Sequence, residues 1–300
     1  MSEPILSIRK PLDNLAATVM VGLCLCWGLQ QVAIKAAASS MEPVLQVGLR
    51  SLFAALLVAG LMIARRENLS LRDGTFRPGL LVGILFGGEF LAVSLGLNFT
   101  TAGHMAVFLY TAPIFTALGL HWLVREEQMR RRQWTGLGMA FAGIALAFSG
   151  SLFTPGGTRL LVGDMLGVLG GILWAATTLT IRVSRLSETS AAKTLLYQLS
   201  GAAILLLPIA WCNNDSGTVV PSPILWASLV FQTVVVAFTS FLLWFWLLRK
   251  YLASRLSIFS FLTPLFGVLF GVLFLKEPLD PRFVLGAMLV LAGITIVNRK

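Results

Sequence analysis

The sequence predicts an all-α integral membrane protein: ten transmembrane helices arranged as two inverted five-helix repeats, with both termini cytoplasmic. Three observations lead there. The first is composition. The chain of 300 residues is 57% hydrophobic and 12% charged, with a mean hydropathy of +0.84, whereas a soluble domain carries about a quarter charged residues. The second is an internal repeat. Tyr110-Thr111-Ala112-Pro113-Ile114-Phe115 through Leu123-Val124-Arg125-Glu126 aligns with Phe261-Leu262-Thr263-Pro264-Leu265-Phe266 through Phe274-Leu275-Lys276-Glu277. Further on, Gly136, Ala142, Gly143 and Ile144 meet Gly286, Ala292, Gly293 and Ile294. The third is the placement of basic residues in alternate loops.

An apolar stretch of ~20 residues crosses a ~30 Å hydrocarbon layer as helix. Such stretches centre on Leu25, Phe53, Gly88, Pro113, Gly143, Ile172, Ile204, Phe238, Pro264 and Leu289. Little chain is left over, so residues 1–150 and 151–300 are expected to form one five-helix unit each. The first span follows Arg9 and Lys10 but leads into more apolar chain rather than a cleavage site and a polar mature domain, so it is expected to stay as a membrane helix. Rows of small residues mark the third span (Gly79, Gly83, Gly87), the sixth (Gly163, Gly167, Gly171) and the ninth (Gly267, Gly271). Such rows let helix backbones approach closely. The longest external loops, residues 150–160 and 212–223, carry the Pro, Gly, Asn and Ser of turns. Cys24, Cys26 and Cys212 are too few and too scattered for a disulfide frame or a metal site.

The net charge of +10 does not indicate nucleic acid. One set of loops and ends holds Arg9, Lys10, Arg65, Arg66, Arg72, Arg77, Arg125, Arg130, Arg131, Arg132, Arg182, Arg185, Lys193, Arg249, Lys250, Arg255, Arg299 and Lys300. The other holds only Lys35, Arg159, Lys276 and Arg282. The rich side is cytoplasmic by the positive-inside rule and meets anionic lipid headgroups. Five spans per half is an odd number, so the second copy enters the bilayer in the opposite sense from the first. Inverted repeats of this kind are typical of secondary transporters, whose substrate site lies near the midplane between them.

Candidate site residues follow from polarity at depth. Glu89, near the centre of the third span, is the sharpest signal, because a charge there costs ~2.5–3.5 kcal/mol on insertion scales. It reads as a proton carrier, as a partner for a substrate ammonium, or as a structural carboxylate paired with Arg50. Its counterpart in the other repeat is Ser240, beside Phe241. Trp27 and Trp174 sit mid-span at equivalent positions. Gln30 and Gln31 lie one turn on from the first, Thr177 and Thr178 one turn on from the second. Polar groups facing lipid are costly, so these faces point inward, either into a cavity or against another helix. Tyr110, Phe259 and Ser260 extend the wall near the two prolines. The other tryptophans (Trp122, Trp134, Trp211, Trp226, Trp244, Trp246) read as belt residues at span ends. His104 and His121 read as bonded to backbone or water, and Glu126 and Glu277 as paired with nearby Arg or Lys. Pro113 and Pro264 fall mid-span, where each removes a backbone hydrogen bond. They read either as plain kinks or as paired hinges along a path.

On these features the chain resembles the drug/metabolite transporter superfamily, EamA-like branch. The ten spans, the paired halves and the two Pro-containing spans ending in Arg/Lys-Glu carry the resemblance. The aromatic residues Trp27, Tyr110 and Trp174 make it most similar to aromatic amino acid exporters of the YddG type. The resemblance implies a transporter, not an enzyme, that exports amino acids, aromatic ones among them, and related metabolites across the bacterial inner membrane by alternating access. Trp27, Tyr110, Trp174, Phe241 and Phe259 would form its apolar wall, and Gln30, Gln31, Thr178, Glu89 and Ser260 would orient the substrate. Pro113 and Pro264 would serve as hinges. No cofactor is expected, since no Gly-x-x-x-x-Gly-Lys-Ser/Thr nucleotide motif occurs, and nothing in the sequence requires more than a monomer. The alternatives are a nucleotide-sugar or phosphorylated-metabolite carrier, which needs several cavity cations, and a membrane-embedded enzyme, for which no nucleophile–base motif is present.

Overall fold

The computed structural model describes residues 13–123, 128–152, 157–212, 219–251, 259–260 and 262–298. Its helices are α1 (Asn14–Ala36), α2 (Pro43–Ala64), α3 (Phe76–Gly96), α4 (Ala102–Leu109), α5 (Ala112–Leu123), α6 (Arg131–Leu152), α7 (Gly157–Val183), α8 (Ala191–Cys212), α9 (Pro223–Val230), α10 (Phe241–Lys250), α11 (Leu262–Leu275) and α12 (Pro281–Asn298). A π-helical segment, Phe231–Ser240, joins α9 to α10. Seven runs are long and apolar enough to cross a membrane: Asn14–Ala36, Pro43–Ala64, Phe76–Gly96, Ala102–Leu123, Gly157–Val183, Ala191–Cys212 and Pro223–Leu247. Leu262–Leu275 and Pro281–Val297 are shorter apolar helices. The protein is thus an all-helical, multi-pass membrane protein among its described residues.

Helix starts follow from local chemistry. Four orphan amides at each N-terminus need acceptors, and side chains supply them. Asp13 accepts from Ala16, Glu42 from Leu45, Thr101 from His104 and Ser222 from Leu225. Pro43 and Pro223 then occupy first-turn positions, where a missing N–H costs nothing. Inside the Ala102–Leu123 run the effect of proline is stronger than a kink. The ring at Pro113 removes the amide that would bond Leu109 and crowds that carbonyl. The helix therefore stops at Leu109 and restarts at Ala112. Thr111 closes the gap, its hydroxyl donating to the Phe108 carbonyl at 2.6 Å. Pro264 lies in α11, and Phe261, just ahead of that helix, is outside the described residues.

The helices pair in a repeating pattern. α6 packs on α12, α2 on α8 and α4 on α11, each with its counterpart from the other half of the sequence. Several further contacts come in twos. α1 on α11 is matched by α7 on α4 and α5, α3 on α7 by the α9–α10 run on α1, and α3 on α8 by the π segment on α2. The glycine rows make these crossings. A Cβ at Gly28 would stand 2.8–2.9 Å from Phe266, Gly267 and Thr263 on α11. One at Gly136 would stand 2.8 Å from the Gly293 carbonyl on α12. Large apolar side chains on the outside, such as Phe53, Leu56, Ile84, Ile204 and Leu273, are exposed, as a surface facing hydrocarbon requires.

The connections gather at two ends. At one, Lys35, Thr100 and Glu277 meet, Arg159 reaches the Asn98 carbonyl, and the Val220 amide donates to the Ser40 carbonyl. At the opposite helix ends, Lys193 bonds Asp73 and the Ser70 carbonyl, Tyr251 donates to Asp13, and Gln133 donates to the Val297 carbonyl. Lys193 and Thr75 hold the Asp73 carboxyl down at about 2. Arg125 and Glu126, and with them the first copy of the Arg/Lys-Glu pair, lie outside the described residues.

Candidate functional site

Apart from Thr178, the expected site residues lie on α1, α3, the α4–α5 break, α7, the first residue of α10 and the two residues 259–260. Glu89 is buried on α3, and Arg50 is fully buried on α2. The two charges interact, yet no ion pair within 4.0 Å joins them. All three guanidinium nitrogens and Glu89 Oε2 are without hydrogen-bond partners. Phe90 instead holds the guanidinium, whose Cζ lies 4.2 Å above the ring centroid. Of the readings open for Glu89, the structural pairing with Arg50 is therefore not formed. From Phe90 an aromatic ladder runs through Phe86 (4.9 Å) to Phe241 (6.4 Å).

Tyr110, which also interacts with Glu89, occupies the helix break and meets Trp174 edge to face at 5.1 Å. The break explains why Tyr110 can lie in the interior. A residue between two helices is free of either helix's facing and can turn its ring inward. Thr263, buried one residue before Pro264, neighbours both Tyr110 and Cys24. The Cys24 thiol donates to the Phe259 carbonyl at 3.2 Å, which sets Phe259 beside α1. Ser260 follows, half-buried. Trp27 donates its indole N–H to Ser240 Oγ at 2.9 Å and packs edge to face on Trp244 at 5.8 Å. Gln30 and Gln31 are buried one turn on, and Gln31 Oε1 has no partner.

Several placements differ from the expectation. Thr178 is exposed, and its hydroxyl donates to the Trp174 carbonyl of its own helix. The structure does not bring it to Glu89. Thr177 is buried but likewise bonds its own helix, at the Leu173 carbonyl. Trp244 is not a belt residue; it belongs to the Trp27 wall. His104 takes a carboxylate rather than backbone or water: Asp164 lies 3.0 Å from its Nδ1, Thr100 bonds the same carboxylate, and Phe283 stacks on the imidazole at 3.7 Å. His121 does bond backbone, accepting from the Met129 amide at 2.9 Å. Glu277 pairs with Lys35 at 3.5 Å, as expected, but also accepts from the Ala102 and Gly103 amides at the start of α4.

Sequence reasoning missed a polar network further along α1, α2 and the π segment. Gln46 donates to the Ile34 and Met41 carbonyls and accepts from Gln232, which also donates to Ser228. Ser228 in turn donates to the Ala33 carbonyl. Amides at Gln46 and Gln232 in otherwise apolar spans were the available signal. The π segment ends at Ser240, the partner of Trp27, and irregular turns of this kind often mark functional positions.

A family model for EamA-like transporters matches this chain twice, at residues 14–149 and 161–299. The chain belongs to the EamA-like transporter family. It is a membrane transporter by that membership. It is 27% identical to the uncharacterized transporter YvbV of Bacillus subtilis, over 95% of this chain and 92% of the relative. It is 26% identical to a probable amino-acid metabolite efflux pump of Salmonella typhimurium, over 90% of each chain. A pump of the same description from Escherichia coli is 24% identical over 95% of this chain and 94% of the relative. A solved crystal structure, 18% identical, matches with a TM-score of 0.64 over 95% of this chain and 98% of the other, which concerns the fold.

Proposed function

We propose that this transporter is a secondary carrier that exports amino acids, aromatic ones included, across the bacterial inner membrane by alternating access, in the manner of YddG-type exporters. The observation that carries the reading is the buried Glu89 set among Tyr110, Trp174, Phe86 and Phe90 and left without a partner on Oε2. A carboxylate at that depth needs a cationic or protonic counterpart, and a wall of rings needs an apolar side chain. An aromatic amino acid offers both. The likeness to probable amino-acid metabolite efflux pumps supports the substrate class.

On this reading the chain crosses the bilayer ten times as two inverted units, residues 1–150 and 151–300, with both termini cytoplasmic. The paired helix contacts and the two clusters of connections support that arrangement. Trp27, Gln30, Gln31, Glu89, Tyr110, Trp174, Phe241, Phe259 and Ser260 surround the substrate, and Pro113, at its helix break, and Pro264 are the hinges on which the units flex. A phosphorylated-metabolite or nucleotide-sugar carrier fits less well, since Lys35 is engaged by Glu277 and the Thr100 carbonyl and Arg50 is the cation beside Glu89. The test is counterflow in proteoliposomes with a panel of amino acids, polyamines, sugar phosphates and nucleotide sugars. Exchange of aromatic amino acids supports the reading. Exchange confined to phosphorylated compounds overturns it.

A further inference from the structure

Arg50 is the most demanding group in the protein. A guanidinium carries five N–H donors in a planar fork and stays charged. Left buried without a partner, a charge is strongly destabilising. Glu89 is adjacent, and a structural pair would close onto it. Instead Phe90, the next residue after Glu89, holds the guanidinium over its own ring at 4.2 Å. Two opposite charges are thus buried near each other without an ion pair, each with unused hydrogen-bonding capacity.

Resting on the amino acid reading above, we propose that Arg50 and Glu89 form a two-point receptor for an α-amino acid zwitterion. Arg50 receives the carboxylate and Glu89 the ammonium, with the side chain against the Tyr110–Trp174 wall. A planar fork matches a carboxylate in bidentate fashion. The zwitterion brings a negative and a positive group to a positive and a negative one, so the occupied site is neutral and both orphan groups are satisfied. Molecules with one of the two charges leave a buried partner unpaired, and this makes the receptor selective for free amino acids over amines, esters and N-acylated forms. Arg50 has no exposed surface in this conformation, so the substrate reaches it when the two units move apart.

The test is competition against labelled L-phenylalanine counterflow, using unlabelled L-phenylalanine, its methyl ester, N-acetyl-L-phenylalanine and phenethylamine. For the unmodified protein, each derivative is expected to compete at least about tenfold less well than L-phenylalanine, the equivalent of losing about 1.4 kcal/mol. Arg50→Gln should lose the preference for L-phenylalanine over its ester while keeping that over the N-acetyl form, and Glu89→Gln the reverse. Equal competition by all four compounds on the unmodified protein overturns the receptor and leaves amino acid transport standing, and this comparison needs no variant to fold. Folded variants that keep the original order of preference, or lose all four compounds alike, also overturn it. Absence of exchange with any amino acid in the unmodified protein removes the function itself.

Discussion

Glu277 ties three parts of the chain together, and its removal should be costly in a measurable way. Its carboxylate accepts from the Ala102 amide at 2.7 Å and the Gly103 amide at 3.1 Å, and Lys35 stands 3.5 Å away. The side chain is 9% exposed and that of Lys35 29%, so solvent screens the ion pair more than the cap. A hydrogen bond to a charged acceptor contributes about 1.5–3 kcal/mol, and an exposed pair adds at most about 1 kcal/mol. Two bonds to one carboxylate are not fully additive, so Glu277→Ala should cost about 3–4 kcal/mol. In a chain of this size that lowers Tm by about 6–15 °C. Glu277→Gln keeps one acceptor oxygen and should lose about half as much. Gly271 gives an independent handle, since a Cβ there would collide with Glu277 Oε2. Gly271→Ala should therefore destabilise by displacing the same carboxylate, and the double variant should be little worse than Glu277→Ala alone. Intrinsic-fluorescence melting of the detergent-purified protein reads all four. A Tm for Glu277→Ala within about 2 °C of the unmodified protein would refute the cap as a stabilising contact.

Other consequences follow from the same geometry. Gly201 meets the Gly83 backbone directly, so Gly201→Ala should separate α3 from α8 at about 1–3 kcal/mol, seen as a lower melting temperature, whereas Gly60→Ala, with open space around it, should not. Trp27→Phe removes the donor to Ser240 and should cost about 0.5–1.5 kcal/mol while retaining exchange. Trp27→Ala should in addition raise the apparent KM for L-phenylalanine, and an unchanged KM would place Trp27 outside the substrate's reach. The Asp73 carboxyl is held down at about 2 by Lys193 and Thr75. A lowered folded-state value gives stability that is present above the unfolded value of about 3.9 and is lost as pH falls toward 2. The melting difference between the unmodified protein and Asp73→Asn should thus hold steady from about pH 8 to 5 and shrink below about pH 4.

Much of this was legible in the sequence because a bilayer leaves few choices. Lengths of apolar run, the glycine rows and the interior facing of Glu89, Gln30 and Gln31 all follow from the need to satisfy polar groups away from water. What the sequence hid depends on contacts between distant segments. Nothing in the local pattern says that Thr178 spends its hydroxyl on its own helix, that Trp244 joins Trp27, or that His104 finds Asp164. The missing ion pair between Arg50 and Glu89 was equally invisible, since pairing two opposite charges in adjacent spans is the simplest arrangement and the stacking of the guanidinium on Phe90 depends on how the two helices pack. Pro113 reads from the sequence as a kink or a hinge, and in the fold it stands just after a full break between two helices. The distinction lies in Thr111, whose hydroxyl closes the preceding turn.

A single site between the two halves requires that they enter the membrane in opposite senses. Single-cysteine labelling in intact cells tests this most directly, with Cys24, Cys26 and Cys212 replaced by serine and a cysteine placed at Gln128 or Lys276, both exposed. An impermeant maleimide added outside should label Lys276→Cys and reach Gln128→Cys only after the membrane is opened. Labelling of both positions from outside would contradict the inverted arrangement and the carrier built on it.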